Sequence, residues 1–386
     1  MQKEPIIRTR IAPSPTGNLH IGTARAALFN YLFSKHAGGV FVLRIEDTDV
    51  ERSEKRFEKN IFKGLSWLGI VADESPESGG AFAPYRQSER IATYKKYLEK
   101  LLIEGKAFYC FHNKEQLEEE KKEQAAMKMP AKHFCGDWRD GTLEDAEKRK
   151  KTEASSIIRF KIPTTPSNHQ VSFADIIRGK INFFTSLLGD FSIAKSLREP
   201  LYNFAVVIDD YDMGITHVIR GEDHIPNTPK QLLIAEALGW TKQNEISELE
   251  PPWKYAHLPL ILGTDRSKLS KRHGATSVDE YMEDGYLPEA LFNFITLLGW
   301  NPGGDRELFS EAELIELFSL ENVQKSGAIF DVKKLDWMNG EYIRKKPISE
   351  LVALSLPVLL RAGLLDSFDI SKNREYLEKV IALEQP

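Results

Sequence analysis

The chain has 386 residues, 41% apolar and 28% charged, with a formal net charge of −5. That length fits two to four domains, and the composition is that of a soluble globular protein; the charge excludes a globally basic nucleic-acid binder, though not one with a local basic face. Two cysteines, Cys110 and Cys135, exclude a disulfide framework and point to a cytoplasmic setting. There is no run of about 18 uncharged apolar residues to cross a membrane, and the opening MQKEPIIRTR lacks the apolar centre of a signal peptide.

Residues 6–11 read as a short strand. The stretch APSPTGNLHIGT (12–23) then places two prolines, two glycines and a histidine between apolar segments. Ala24, Ala27, Leu28, Tyr31 and Leu32 recur at helical spacing, which predicts a helix from near Gly22 to a stop at Gly38-Gly39. VFVLRIED (40–47) has the length and β-branched content of a buried parallel strand. Together these make one βαβ unit. A second helix carries Ile91, Tyr94, Leu98, Leu101 and Leu102. From Lys114 to Lys151 the chain turns to dense mixed charge, the solvated helical faces of an inserted subdomain. Strand signals return at 155–163, 204–210 and 215–223, a helix follows at 229–240, and a strand at 255–263. Beyond about residue 275 the pattern is helical, with Leu287, Leu291, Phe294, Ile295 and Leu298 on one face.

Two stretches carry chemistry. The turn before Gly22 would sit at the carboxyl edge of a parallel sheet, where ligands of such folds bind. The N-terminus of the following helix offers unpaired N–H groups to an anion, and His20 adds a donor. It is not a Walker loop, because GxxxxGK[ST] is absent. Taken alone, a Pro/Gly turn with an exposed histidine explains it as well. The second stretch is DRSKLSKRHGA (265–275), where Lys268 and Lys271 flank a serine in a loop after a strand. Mobile ammonium groups of this kind can neutralise a triphosphate while it reacts; a solvated basic loop is the plainer account of a lone K-x-x-K.

In this order and context the pair resembles the two signatures of class I aminoacyl-tRNA synthetases, HIGT standing for HIGH and KLSKR for KMSKS. The surrounding wording is narrower. RIAPSPTGNLHIGTARAALFNYLF, RIEDTD, YNFAVVIDDYDMGITHVIRGEDH and KLSKRHGA resemble the bacterial glutamyl-tRNA synthetase family, over nearly the whole chain. Thr23 at the fourth HIGH position is usual in that branch. The implied fold is α/β: a class I Rossmann-like catalytic domain split by an α/β insertion, followed by an all-helical C-terminal region. The implied division is 1–110 and 201–265 for the catalytic halves and 111–200 for an insertion that binds the tRNA acceptor end. Residues 266–345 would form a helical stem-contact region, and 346–386 the start of a helical anticodon-binding domain. By comparison with the family the chain is expected to be C-terminally truncated there. Leu351, Leu354, Leu359, Leu360 and Leu364 mark helices that need partners.

The resemblance implies a two-step reaction. L-glutamate and ATP, with Mg²⁺, give glutamyl-adenylate and pyrophosphate, and the glutamyl group passes to tRNA-Glu. His20, Lys268 and Lys271 are the expected catalytic residues, with Gly22 and Ser270 joining them around ATP. Arg10, Ala12, Ser14, Glu46, Tyr202 and Arg220 are expected around glutamate, Arg10 on its side-chain carboxylate and Glu46 on its ammonium. The alternative for Glu46 and Arg220 is an ion pair between neighbouring strands. Val206 and the GEDH wording (221–224) depart from one branch of the family and leave the contacts of Asp223 and His224 open. Some members bind zinc through Cys-x-Cys…Cys-x-His in the insertion. Here the candidates are Cys110, His112 and Cys135, with His133 nearby and Asp137 in the last position. The expectation is a site without zinc, held by packing. A cytoplasmic monomer is expected. The competing readings are a glutamyl-queuosine-type tRNA-modifying transferase, a glutaminyl enzyme, and a non-catalytic RNA-binding paralogue, which would be expected to lose His20 or the lysines.

Overall fold

The computed structural model describes residues 6–385, apart from 50, 130, 134, 137, 154–155, 164–169, 245–247, 271, 273 and 366–369. In the first part, β1 (Arg8–Ile11), α1 (Ile21–His36) and β2 (Val40–Leu43) form the expected βαβ unit, with β1 and β2 parallel. Gly38 takes φ +61°, and a Cβ on Gly39 would fall 2.2 Å from the Ile7 carbonyl oxygen, so both glycines are required where the helix stops. A helix the sequence reading passed over, α2 (Lys55–Trp67), comes before α3 (Ile91–Ile103).

The chain next runs through β3 (Ala107–Cys110), just ahead of the expected insertion, and then α4 (Lys114–Ala126) and α5 (Leu143–Arg149). It continues through β4 (Ile157–Phe160), β5 (Gln170–Asp175), β6 (Gly179–Phe184), β7 (Ser192–Ser196) and β8 (Glu199–Pro200). No side chain of α4 or α5 is buried, in keeping with their charge runs. Strands β3, β4, β7 and β8 make an antiparallel sheet of their own. The β5–β6 hairpin instead joins the central sheet, so the chain segment 111–200 serves two sheets.

The second half returns with α6 (Tyr202–Asp212), β9 (His217–Gly221) and α7 (Thr228–Ala237). It goes on through β10 (Lys242–Gln243), β11 (Leu249–Glu250), β12 (Lys254–Leu258) and β13 (Ile261–Leu262). The central sheet runs β2-β1-β9-β12-β5-β6, parallel throughout except for the β5–β6 hairpin. Side chains alternate between two cores: Phe41, Leu43 and Ile219 enter one, Val42 and Val218 the other. One expected strand, 204–210, is helix α6. All seven residues are buried, the five apolar ones in the second core. An apolar run buried all round has no visible period, and β-branched Val206, Val207 and Ile208 yield to the packing.

The C-terminal part is helical as expected: α8 (Val278–Glu283), α9 (Pro288–Thr296), α10 (Glu311–Leu317), α11 (Val332–Lys345), α12 (Ile348–Arg361) and α13 (Ile370–Glu384), with one short strand, β14 (Ala328–Ile329), on β13. Leu291, Phe294 and Ile295 of α9 share the first core with α1. On α12, Leu351 is buried while Leu354 is about half exposed. Gln385 donates to the carbonyl oxygens of Ile343 and Lys346 at the end of α11, at 2.9 and 2.8 Å, which satisfies acceptors a helix end leaves open.

Candidate active site

Strands β1, β9 and β12 lie side by side, and their carboxyl ends open into one cleft of about 460 Å³. The Pro-rich turn after β1 is tied down by backbone bonds: Glu46 N–H donates to Pro13 O and Glu54 N–H to Pro15 O, each at 3.0 Å. His20 caps α1, and its Nδ1 accepts the Gly22 N–H at 3.0 Å. An acceptor Nδ1 puts the proton on Nε2. Burial, then nearby Lys268, push the imidazole below its ordinary pKa, so it is a neutral donor. A Cβ on Gly22 would stand 3.3 Å from that Nδ1.

This changes one expectation. The Gly22 N–H is taken by His20, and the Ile21 N–H donates to Thr276 O at 2.9 Å. Those two amides are therefore already bonded within the protein, and the His20 proton sits on Nε2. Opposite stands the second motif. Leu269 is buried and its N–H donates to Ile261 O at 2.9 Å, which pins the loop to β13. Lys268 reaches over the cleft, 3.5 Å from Asp223, with most of its side chain exposed. Ser270 lies on the same loop outside the cleft lining, and Lys271 lies outside the described residues.

At the other end Arg10, Ala12, Ser14, Glu46, Tyr202 and Arg220 all line the cleft. Tyr202 opens a helix rather than ending a strand, and its hydroxyl lies 2.9 Å from His224 Nδ1. Burial, then Arg220, push His224 down to about 4, so it is neutral. Arg10 is held by Asp210 through two bonds of 3.1 and 3.3 Å. Arg44 bonds Asp210 at 2.8 Å and Glu46 at 3.1 Å, and Arg90 bonds Asp209 at 2.7 Å. Burial raises Glu46 above the ordinary carboxylate range despite Arg44 and Arg10. Glu46 and Arg220 do not pair with each other. Arg220 Nε donates to His257 Nε2 at 3.1 Å and Nη2 to Thr228 Oγ1 at 2.8 Å, while Nη1 is buried without a hydrogen-bond partner. Arg10, Arg44 and Arg90 thus pair with the buried carboxylates Glu46, Asp209 and Asp210, and Arg90 also lies 3.5 Å from Asp212, whereas Arg220 forms no ion pair with a carboxylate among the described residues.

Residues 6–337 match the family of class I tRNA synthetases (E and Q), catalytic domain. The chain is 51% identical over 377 residues to the glutamate–tRNA ligase of Carboxydothermus hydrogenoformans, covering 97% of this chain and 75% of that one. It is 47% identical to the ligase of Desulforamulus reducens, with 98% and 75% covered. The chain belongs to the glutamate–tRNA ligase family of class I synthetases. A solved glutamate–tRNA ligase from Elizabethkingia meningosepticum, in complex with its amino acid, superposes with a TM-score of 0.86 at 36% identity, over 99% of this chain and 77% of that one. The relatives are bacterial enzymes that use ATP, and no helix among the described residues is long and apolar enough to cross a membrane.

The insertion holds a second cluster. Cys110 ends β3, and its Sγ lies 3.4 Å from His112 Nδ1 and 3.6 Å from His133 Nε2; Cys135 Sγ lies 3.7 Å from His112 Nδ1. All four ligand atoms fall within 4.8 Å of one another. A tetrahedron with ordinary Zn–S and Zn–N bonds has S···N edges of about 3.6 Å. The residues fit zinc, against the expectation. The fourth member is His133, two residues before Cys135, whereas Asp137 lies outside the described residues. The sequence reading also missed the paired carboxylates of α6 and the residues behind Arg220. A visible signal existed for the first: two aspartates closing an apolar run must be buried against cations.

Proposed function

We propose that this chain activates L-glutamate with ATP, releasing pyrophosphate, and transfers the glutamyl group to the 3′ end of tRNA-Glu. One observation carries the reading: a single cleft joins His20 and Lys268 at one end to Arg220 at the other, an arginine with one buried nitrogen that lacks a hydrogen-bond partner. Free glutamate at neutral pH has two carboxylates and one ammonium, and its side-chain carboxylate complements that unpaired guanidinium nitrogen. Arg220, through its unpartnered Nη1, and Arg10 take the side-chain carboxylate; Glu46 takes the ammonium. The Ala12–Ser14 turn and Tyr202 shape the walls. The α-carboxylate oxygen attacks the α-phosphorus, and the bond to the departing pyrophosphate breaks. His20 donates its Nε2–H to a phosphate oxygen, and Lys268 with Lys271 offsets charge on the leaving group, with Gly22 and Ser270 alongside. Mg²⁺ enters as part of the ATP substrate. The β3-β4-β7-β8 sheet of the insertion holds the acceptor end, and the region from 266 to 345 meets the stem, chiefly by shape and backbone. The protein works as a cytoplasmic monomer.

Cys110, His112, His133 and Cys135 hold a structural zinc. Four protein ligands close the coordination shell, so the ion braces the insertion and takes no part in the reaction. Zinc near one per chain by elemental analysis, lost in Cys110→Ser, is the expected result; metal-free protein grown and purified in zinc without chelator overturns it. The function is tested by pyrophosphate exchange with glutamate and with glutamine, with and without tRNA. Glutamate-dependent exchange that glutamine does not support is expected, and equal exchange with both sinks the assignment.

A further inference from the structure

Arg220 is held from behind by a buried chain of two more residues. It leaves β9 almost fully buried, with its Nε on His257 Nε2 and its Nη2 on Thr228 Oγ1. Both partners are neutral groups, and no carboxylate among the described residues forms an ion pair with it. His257 stands directly opposite Arg220 in the β9–β12 register and has no exposed surface. Its Nδ1 lies 2.6 Å from Asp175 Oδ2, and its backbone N–H donates to the same oxygen at 3.1 Å. Asp175 closes β5 and also accepts the N–H groups of Ile177 and Arg178, at 3.0 and 2.8 Å.

The chemistry of this chain has one direction. Burial pushes Asp175 up, but its bonds from His257 and from backbone N–H groups outweigh that and keep it ionised. A carboxylate only accepts, so His257 Nδ1 carries the proton and Nε2 is left as an acceptor. Burial also pushes His257 down to about 4, which keeps the ring neutral and Nε2 free to accept. An arginine has many rotamers to lose when it binds an anion. Two of its three nitrogens fixed in advance remove most of that loss, and the third, on a residue that lines the cleft, is the one left without a hydrogen-bond partner. We infer that His257, locked in one tautomer by Asp175, is a positioning residue that aims Arg220 Nη1 at the side-chain carboxylate of the substrate. The inference rests on the glutamate-activating reading above.

The test compares three substitutions in tRNA-dependent pyrophosphate exchange and in thermal melting. His257→Gln keeps an acceptor near the Nε2 position. His257→Asn keeps a polar group near Asp175 but falls short of Arg220, and His257→Leu removes both contacts. Leu and Asn should raise the KM for glutamate about tenfold or more, the loss of one bond to a charged group. The KM for ATP should stay within about twofold, and kcat within about threefold, because ground-state binding is what changes. Gln should stay within about threefold of the parent in all three. If His257→Leu fails to melt cooperatively, the Asn and Gln pair decides. An unchanged glutamate KM in folded Asn or Leu variants overturns the inference, as does an equal rise in Gln. Absence of glutamate-dependent exchange in the unmodified chain would instead overturn the functional reading itself.

Discussion

Arg10 and Arg220 both line the cleft, but they differ in what already meets their charge. Asp210 meets Arg10 through two bonds, whereas Arg220 meets only an imidazole and a hydroxyl. The sequence pointed to Arg10 as the residue that tells glutamate from glutamine, because it lies beside the signature turn. We propose that Arg220 carries most of that burden, since an amide offers its unpaired nitrogen a far poorer partner than a carboxylate does. Arg220→Gln should lower the glutamate-to-glutamine ratio of kcat/KM about a hundredfold, and Arg10→Gln by about tenfold or less. Exchange kinetics with both amino acids check this; a larger loss in Arg10→Gln would restore the first assignment. Glu46 gives a second outcome at this scale. Its pKa is raised by burial, so acid protonates it before ordinary carboxylates and removes the charge that meets the substrate ammonium. The KM for glutamate should therefore climb as pH falls through that raised value. Glu46→Gln should have a higher KM at neutral pH and a flatter profile on the acid side, and an unchanged slope would remove Glu46 from the ammonium site.

Elements differ in how far the sequence reveals them. The β1–α1–β2 unit was legible because its signals are local: a turn cluster, a helical stripe and a β-branched run within about 50 residues. Helix α6 was not, because the burial of every residue from 204 to 210 erases the contrast between faces on which periodicity depends. The Cys/His cluster was half legible. The pairs Cys110 with His112 and His133 with Cys135 are visible in the sequence, but their meeting depends on how β3 and the segment after α4 come together. That meeting has a buttress no spacing rule would supply: Glu120 on α4 takes the His133 Nδ1–H at 2.6 Å, which leaves Nε2 facing Cys110. A carboxylate behind a ligating histidine fixes its ring and raises its basicity. Glu120→Ala should weaken zinc about tenfold to hundredfold in chelator competition. The same affinity in both proteins would show that His133 needs no such support.

At the scale of the whole molecule, the two catalytic halves are joined across the insertion by buried charge. Asp209 and Asp210 of α6 bind Arg90, Arg10 and Arg44, residues more than a hundred positions earlier. The aspartates are signalled by closing an apolar run, but which distant arginines they meet leaves no trace in local sequence pattern. These pairs also make the fold sensitive to acid. Burial pushes the Asp210 carboxyl up, but Arg10 and Arg44 outweigh it and hold the pKa below the ordinary value. A depressed carboxylate contributes stability in full above its unfolded pKa of about 3.9, and that contribution disappears as pH falls through the lower, folded value. Glu46 works in the opposite sense: its raised pKa favours the fold below the unfolded value and loses that advantage as pH rises. Asp210→Asn leaves Arg10 and part of Arg44 buried without their partner, a loss of about 3–5 kcal/mol at neutral pH. Because the substituted side chain no longer titrates, the variant should also lose less stability than the parent when acidified from neutral to below the ordinary carboxylate range. Urea unfolding of both proteins at several pH values measures this directly. Parallel stability curves, separated by the same amount at every pH, would mean that Asp210 joins the halves by shape and hydrogen bonding alone, and that its charge is not what holds them.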